Sequence, residues 1–263
     1  MDFQYTEKMQ TLIAQVRDFI NTEIRPVEGL YHEQLEKSPW ETPPIMDELK
    51  EKAKAKGLWN LFLPKEYVEF SAGLSNLEYA PLAEEMGRCS IASEAFNCAA
   101  PDTGNIEVLA NYGNEAQKKE WLQPLLEGRI RSAFAMTEPE VASSDATNIE
   151  TRITEDGDDY VINGRKFYIS GAMRKTCEIM IVMCKSSPDN PNLHQHQSQF
   201  FTIVSGAEQR HDREIRRYGF FTEHQCSIHQ NIGLLCFTNE IESFTDELVV
   251  TGEELFGFGT DDG

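Results

Sequence analysis

The sequence predicts an α+β protein: an N-terminal all-α helical domain over residues 1–130, an antiparallel β-barrel-like domain over 131–247, and a short acidic, glycine-containing tail over 248–263. Two observations carry this. Before residue 130, apolar residues recur at three- and four-residue spacing between recognisable caps, as on helices with one buried face. From Ser132 the period becomes two, with turn residues between the runs, as on half-buried strands.

In the first half, Thr6 and Glu7 open a helix whose Met9, Leu12, Ile13, Val16, Phe19, Ile20 and Ile24 share one face, and Pro26 is expected to end it. A second helix starts at Pro43-Pro44, turns Ile45, Met46, Leu49 and Ala53 inward, and stops at Gly57. Its other side (Asp47, Glu48, Lys50, Glu51, Lys52, Lys54, Lys56) reads as a solvated charged face. Residues 58–63, L-W-N-L-F-L, are too short for an independent helix and apolar enough for a buried connection. Ser75 with Glu78, and Asn114 with Gln117, have capping-box spacing. The first box starts a helix through Leu77, Tyr79, Leu82, Ala83 and Met86 to Gly87. The second starts one carrying Trp121, Leu122, Leu125 and Leu126, closed by Gly128.

In the second half, residues 132–136 form a β-type run that breaks at Pro139 into Ala142, Ser143 and Ser144. Small and hydroxyl residues there bring backbone N–H groups and hydroxyls close to a ligand. Thr147, Ile149, Thr151 and Ile153 alternate with polar residues as a strand would, and Asp156-Gly157 turns the chain. Asn163-Gly164 predicts a hairpin between residues 160–162 and 165–170. Residues 179–184, 200–204 and 232–237 read as further strands, the first two separated by a polar loop.

The charge balance, 24 basic against 44 acidic residues for a net of −20, excludes nucleic acid and anionic membranes as expected partners while leaving room for a local basic pocket. Six cysteines without a C-x-x-C pair fit buried thiols in a reducing compartment. The N-terminus lacks a signal or transit pattern and no apolar run is long enough to span a bilayer, so a cytoplasmic protein is expected. His194 and His196, with His211, His224 and His229, lack the fixed spacing of a metal site, and no metal is expected. Gly257-Phe258-Gly259 lacks the strand, third glycine and helix of a dinucleotide loop. Ser143-Ser144 are not in a G-x-S-x-G elbow, which argues against hydrolase chemistry.

The remaining motifs form one series. It runs Tyr112-Gly113-Asn114-Glu115-x-Gln117, then Trp121-Leu122-x-Pro124-Leu125, then Ala133-Phe134-Ala135-Met136-Thr137-Glu138-Pro139, then Ser144-Asp145, and finally Asn163-Gly164-x-Lys166-x-Tyr168-Ile169-Ser170. Over about residues 1–204 the chain resembles the acyl-CoA dehydrogenases. A-P-D-T-G-N (from Ala100) and A-S-S-D-A-T-N (from Ala142) look like the branch that in animals is often fused to a phosphotransferase-like domain.

The resemblance implies a helical domain, a middle β domain and a C-terminal four-helix bundle, with FAD as cofactor, an acyl-CoA thioester as substrate and an electron-transfer flavoprotein as partner. By position, Phe134, Met136 and Thr137 would line the flavin ring, Ser143 and Ser144 would hold the pyrophosphate, and Tyr168 and Ser170 would lie against the ring's other side. The family's glutamate base belongs to the bundle, so no residue here inherits the catalytic role, and Glu138 in T-E-P reads as structural. Ser143 stands where most members have Gly, Tyr168 where Trp is commoner, and Met173-Arg174-Lys175 replace a Gly-containing turn. After Val204 the family pattern is recovered only at residues 234–241, and no bundle follows. The chain is therefore expected to be impaired or inactive as an enzyme, and homo-oligomerisation is not expected. The rival expectation is a non-catalytic product that binds acyl-CoA or a full-length partner.

Overall fold

The Thr6 hydroxyl accepts the Met9 N–H at 3.3 Å, and from that cap helix α1 (Glu7–Phe19) buries Met9, Ile13, Val16 and Phe19. The computed structural model describes residues 4–67, 69–156, 159–186, 197–204, 215–222 and 247–250. It divides into two units, one of Met1–Ala110 with Leu122–Arg129 and one of Asn111–Trp121 with Ile130–Gly263.

In the first unit, helical winding passes Pro26 instead of ending there. A π-helical turn (Ile20–Ile24) and a 3-10 turn (Arg25–Val27) lead into α2 (Glu28–Lys37). Pro26 falls at the start of the 3-10 turn, where its missing N–H leaves no bond unmade. Helix α3 (Pro44–Ala55) buries the expected Ile45, Met46, Leu49 and Ala53, and Gly57 follows with φ +69°. Lys50, read as part of the solvated face, is instead buried, with its Nζ 3.8 Å from Glu94.

Residues 58–63 form the buried connection: Leu58, Leu61, Phe62 and Leu63 are enclosed. Trp59 Nε1 and Asn60 Nδ2 donate to the Leu126 carbonyl at 2.7 and 2.9 Å, and Asn97 Nδ2 donates to Leu125 O at 2.9 Å. These side chains satisfy carbonyls at the end of a short helix that has no further turn to do so. Both capping boxes form, starting α4 (Asn76–Met86) and the single turn α7 (Glu115–Gln117). Between them lie α5 (Ala92–Ala95) and α6 (Asp102–Tyr112), and α8 (Gln123–Leu126) is the short helix just described. Arg17 grips Glu85 with two bonds, Nη2–Oε1 at 2.7 Å and Nε–Oε2 at 3.1 Å, tying α1 to α4. Leu77 on α4 faces out, 85% exposed.

The second unit is a sheet of β1 (Arg131–Ala135), β2 (Arg152–Asp156), β3 (Asp159–Phe167), β4 (Cys177–Lys185), β5 (Gln197–Val204), β6 (Ile215–Thr222) and β7 (Glu247–Val250). The order is β6-β5-β4-β2-β3-β7, with β1 beside β4. A helical domain followed by a β domain is as the sequence predicts, but the sheet is mixed and does not close. The β1–β4 pair is parallel, Phe134 opposite Ile181, and β2 meets β4 in parallel at Arg152 and Lys185. A parallel pair requires a crossover, which is the stretch from Met136 through the β2–β3 hairpin. Residues 179–184 of β4 are all buried, as expected for a strand covered on both faces.

Three strand expectations are corrected. The expected alternation over residues 147–153 is only partly a strand: Ala146–Asn148 is a 3-10 turn capped by Asp145 and β2 begins at Arg152, while Ile149, Thr151 and Ile153 are buried between exposed neighbours as the alternation predicts. Asn163-Gly164 is not a turn, because β3 runs straight through it, pairing with β2 up to Asn163 and with β7 from Gly164. The hairpin closes where Asp156 pairs with Asp159, in keeping with the turn expected at Asp156-Gly157. Strand β6 stands where no strand was expected, and β7 begins at position 247. The expected strand at 232–237, the five histidines and the Gly257–Gly259 segment lie outside the described residues. Cys89, Cys98, Cys177 and Cys184 are buried free thiols.

Candidate functional site

The chain leaves β1 at Ala135 and returns to the sheet at β2; the loop between them contains T-E-P and the serines. Its organising group is the Glu138 carboxylate. Oε1 takes the Lys166 ammonium at 2.8 Å and the Thr151 N–H at 2.9 Å, and Oε2 takes the Glu150 N–H at 2.6 Å. Lys166, with no exposed side-chain surface, also donates to Met136 O at 3.0 Å. The two segments on which the family resemblance rests, T-E-P and N-G-x-K, are thus joined by one buried ion pair.

The local sequence explains the geometry. On β3, Ile162, Gly164 and Lys166 share the inward parity of a strand, with Ile162 and Lys166 buried. Gly164 is required: a Cβ there would stand 2.6 Å from Thr151 Cα and would also strike the Thr151 hydroxyl. Glycine therefore allows the chain before β2 to lie against β3 closely enough for Glu138 to receive both backbone N–H groups.

Burial pushes the Glu138 carboxyl up, but the Lys166 ammonium and the two backbone N–H donors together hold it below the usual carboxylate value. For Lys166, burial dominates and pulls the ammonium below its usual value, partly restored by Glu138. The asymmetry follows from the bonds, since the carboxylate is surrounded by donors while the ammonium, among the described residues, donates to Met136 O and Glu138 Oε1 only, two acceptors for three hydrogens. Because Glu138 resists protonation in the folded state more than in the unfolded chain, its stabilisation is complete above the ordinary carboxylate value of 4.5. It is lost as pH falls below that, through its lowered folded value. Glu85, held down chiefly by its bond from Arg17, adds an effect of the same sign in the first unit. Acid titration followed by circular dichroism is expected to show stability declining only below about pH 4.5, with a shallower decline in the Glu138→Gln, Lys166→Met variant.

The positions singled out from the sequence fall into two groups. Thr137, Ser144, Tyr168 and Ser170 are exposed, and Phe134 and Met136 are half-buried. The Phe167 N–H donates to the Thr137 carbonyl at 2.8 Å, which brings Thr137 beside the Phe167-Tyr168 step. Tyr168 has φ +53°, rare for a bulky residue, and a ring 64% exposed that leans on Phe167 with centroids 3.7 Å apart. Ser143 differs from the rest. It is buried, and its hydroxyl accepts the Glu138 N–H at 2.7 Å and lies 3.2 Å from both the Glu138 and Val141 carbonyls, so it shapes the loop from inside. The Glu138–Lys166 pair was not read from the sequence. Its signal was a lysine on an inward strand position, which must find a counter-charge.

Among the described residues no group of three or more His, Cys, Asp or Glu could hold a metal ion.

Comparison with known proteins identifies the class. A family model described as the acyl-CoA dehydrogenase N-terminal domain matches residues 6–129, and the middle-domain model matches residues 133–229. FadE2 of Mycobacterium tuberculosis, described as an acyl-CoA dehydrogenase, is 52% identical over 208 residues, 78% of this chain and 50% of that protein. Acyl-CoA dehydrogenase family member 10 of mouse is 52% identical over 194 residues, 72% of this chain and 18% of that protein. A solved acyl-CoA dehydrogenase structure from Mycobacterium abscessus superposes with a TM-score of 0.71 at 47% identity, covering 77% of this chain and 51% of that one. The matched residues are the helical N-terminal domain and the middle β domain of an oxidoreductase class. This chain belongs to the acyl-CoA dehydrogenase family. It spans about half or less of the length of these relatives.

Proposed function

We propose that the chain contributes the flavin-facing wall of an enzyme that oxidises an acyl-CoA thioester between its α and β carbons, passing electrons onward to an electron-transfer flavoprotein. The single observation that supports this reading most is the arrangement around the buried Glu138–Lys166 pair, with Thr137 and Tyr168 outward on segments it holds.

The residues fit one edge of FAD. An outward aromatic ring at Tyr168 offers a stacking face, and the exposed hydroxyls of Thr137, Ser144 and Ser170 offer hydrogen bonds to a polar rim. Phe134 and Met136, half-buried, back that edge. Ser143 takes part by shaping the loop, since its hydroxyl is engaged with Glu138. When bound, FAD supplies a hydride acceptor. Glu138 does not serve as the base that takes the α-proton, because Lys166 and two backbone N–H groups already occupy its oxygens. With Glu138 engaged, these 263 residues are expected to reduce FAD slowly with acyl-CoA esters.

The test is FAD affinity in the Thr137→Ala, Ser144→Ala double variant. Loss of hydroxyls from a partly desolvated contact is expected to weaken binding by about 1–3 kcal/mol, roughly five- to a hundredfold. Unchanged affinity would refute the placement of the flavin edge.

A further inference from the structure

We propose that Glu138 and Lys166 are positioning residues: their buried pair fixes Thr137 and holds the Tyr168 ring outward in a backbone conformation it would not otherwise keep. The ligand in question, a flavin, rests on the reading above, whereas the positioning itself rests on geometry alone.

Lys166 Nζ donates to Met136 O and to Glu138 Oε1, so one ammonium grips the residues on both sides of Thr137. The Thr137 carbonyl is then taken by the N–H of Phe167, the residue after Lys166. A closed circuit results, running from Met136 through Thr137 and Glu138 to Lys166 and Phe167. Tyr168 comes next, between anchored Phe167 and Ile169, which is buried. With both neighbours fixed, Tyr168 is left at φ +53° with its ring turned to the outside. A bulky side chain persists in the left-handed region only where its surroundings over-determine it, and such strain clusters where a group must be presented to a ligand. The other anchors are internal too: Ser143 closes the loop onto the Glu138 N–H, and Gly164 lets Thr151 approach. Neither Glu138 nor Lys166 has an exposed group with which to touch a ligand, so both act through Thr137 and Tyr168.

Two measurements on the full chain test this. In Lys166→Met, amide exchange at Phe167 is expected to accelerate by roughly tenfold or more relative to Ile181 in the centre of β4, reporting local release of the circuit. FAD affinity should fall by about tenfold in the same variant. An acceleration at Phe167 no greater than that at Ile181 would overturn the proposal, because the pair would then act only through the stability of the sheet as a whole. If Lys166→Met does not fold, Tyr168→Asn decides. Asparagine tolerates the left-handed region, so that variant should melt at a higher temperature than the parent and yet bind FAD more weakly, a combination that a purely structural tyrosine does not produce. A lower melting temperature would count against the proposal. Should the parent chain bind no FAD at all, the flavin reading falls, while the exchange and melting results still decide whether the pair positions Thr137 and Tyr168.

Discussion

Lys166→Met is expected to destabilise the β unit by about 3–5 kcal/mol, the usual consequence of stranding a buried charge by removing its partner. Glu138 would keep its two backbone donors but lose the ammonium that balances its burial. Adding Glu138→Gln should recover a large part of the loss, since a neutral amide needs no counter-ion and can still accept a backbone N–H. The pH dependence should also reverse. Wild type weakens on acidification as its low-lying carboxylate is protonated. In Lys166→Met, burial raises the Glu138 carboxyl, the folded state then takes up the proton more readily than the unfolded chain, and the deficit shrinks as pH falls. Urea unfolding of the three proteins at neutral and mildly acidic pH checks both claims. Equal deficits in the single and double variants would show that the pair acts by packing and not by charge.

The second large effect is expected at Gly164→Ala. A Cβ at that position would lie 2.6 Å from Thr151 Cα, a contact that no side-chain rotation relieves. The backbone before β2 must therefore move away from β3, carrying with it the N–H groups that bind Glu138. Overpacking of this kind typically costs about 1–3 kcal/mol, and the disturbed ion pair adds to it. Gly29→Ala in α2 is the natural control, because nothing stands within 4 Å of the new methyl and a helix gains up to about 1 kcal/mol from the exchange. Thermal melts of the two variants should shift in opposite directions. A neutral Gly164→Ala would mean that Thr151 has room to yield.

Much of the fold was legible because local and global signals agree. The Ser75 and Asn114 boxes both form, and the face of α3 is buried as its spacing predicts. Where reading failed, a long-range contact had overruled a local rule. Asn163-Gly164 has the strongest short-range turn signal in the chain, yet its glycine is present to admit Thr151 from another segment, and the strand continues. Pro26 looks like a stop, but a change of helical winding takes it at a position that needs no N–H. The parallel β1–β4 pair leaves no local trace, because its partners are more than forty residues apart and alternation does not encode direction. In the candidate site, the exposed residues were named from the family resemblance. The pair beneath them was not, since a salt bridge between positions 138 and 166 has no periodicity to betray it.

The most direct test of the flavin-facing wall is a fluorescence titration of FAD with the purified chain and its Tyr168→Ala variant. Wild type is expected to quench flavin emission saturably, as a ring stacked on tyrosine would be quenched, with weak affinity. The variant should lose most of the quenching while keeping its fold, because the Tyr168 ring is 64% exposed and contributes little to the core. Saturable quenching that survives intact in Tyr168→Ala, or no saturable quenching by wild type, would contradict the account.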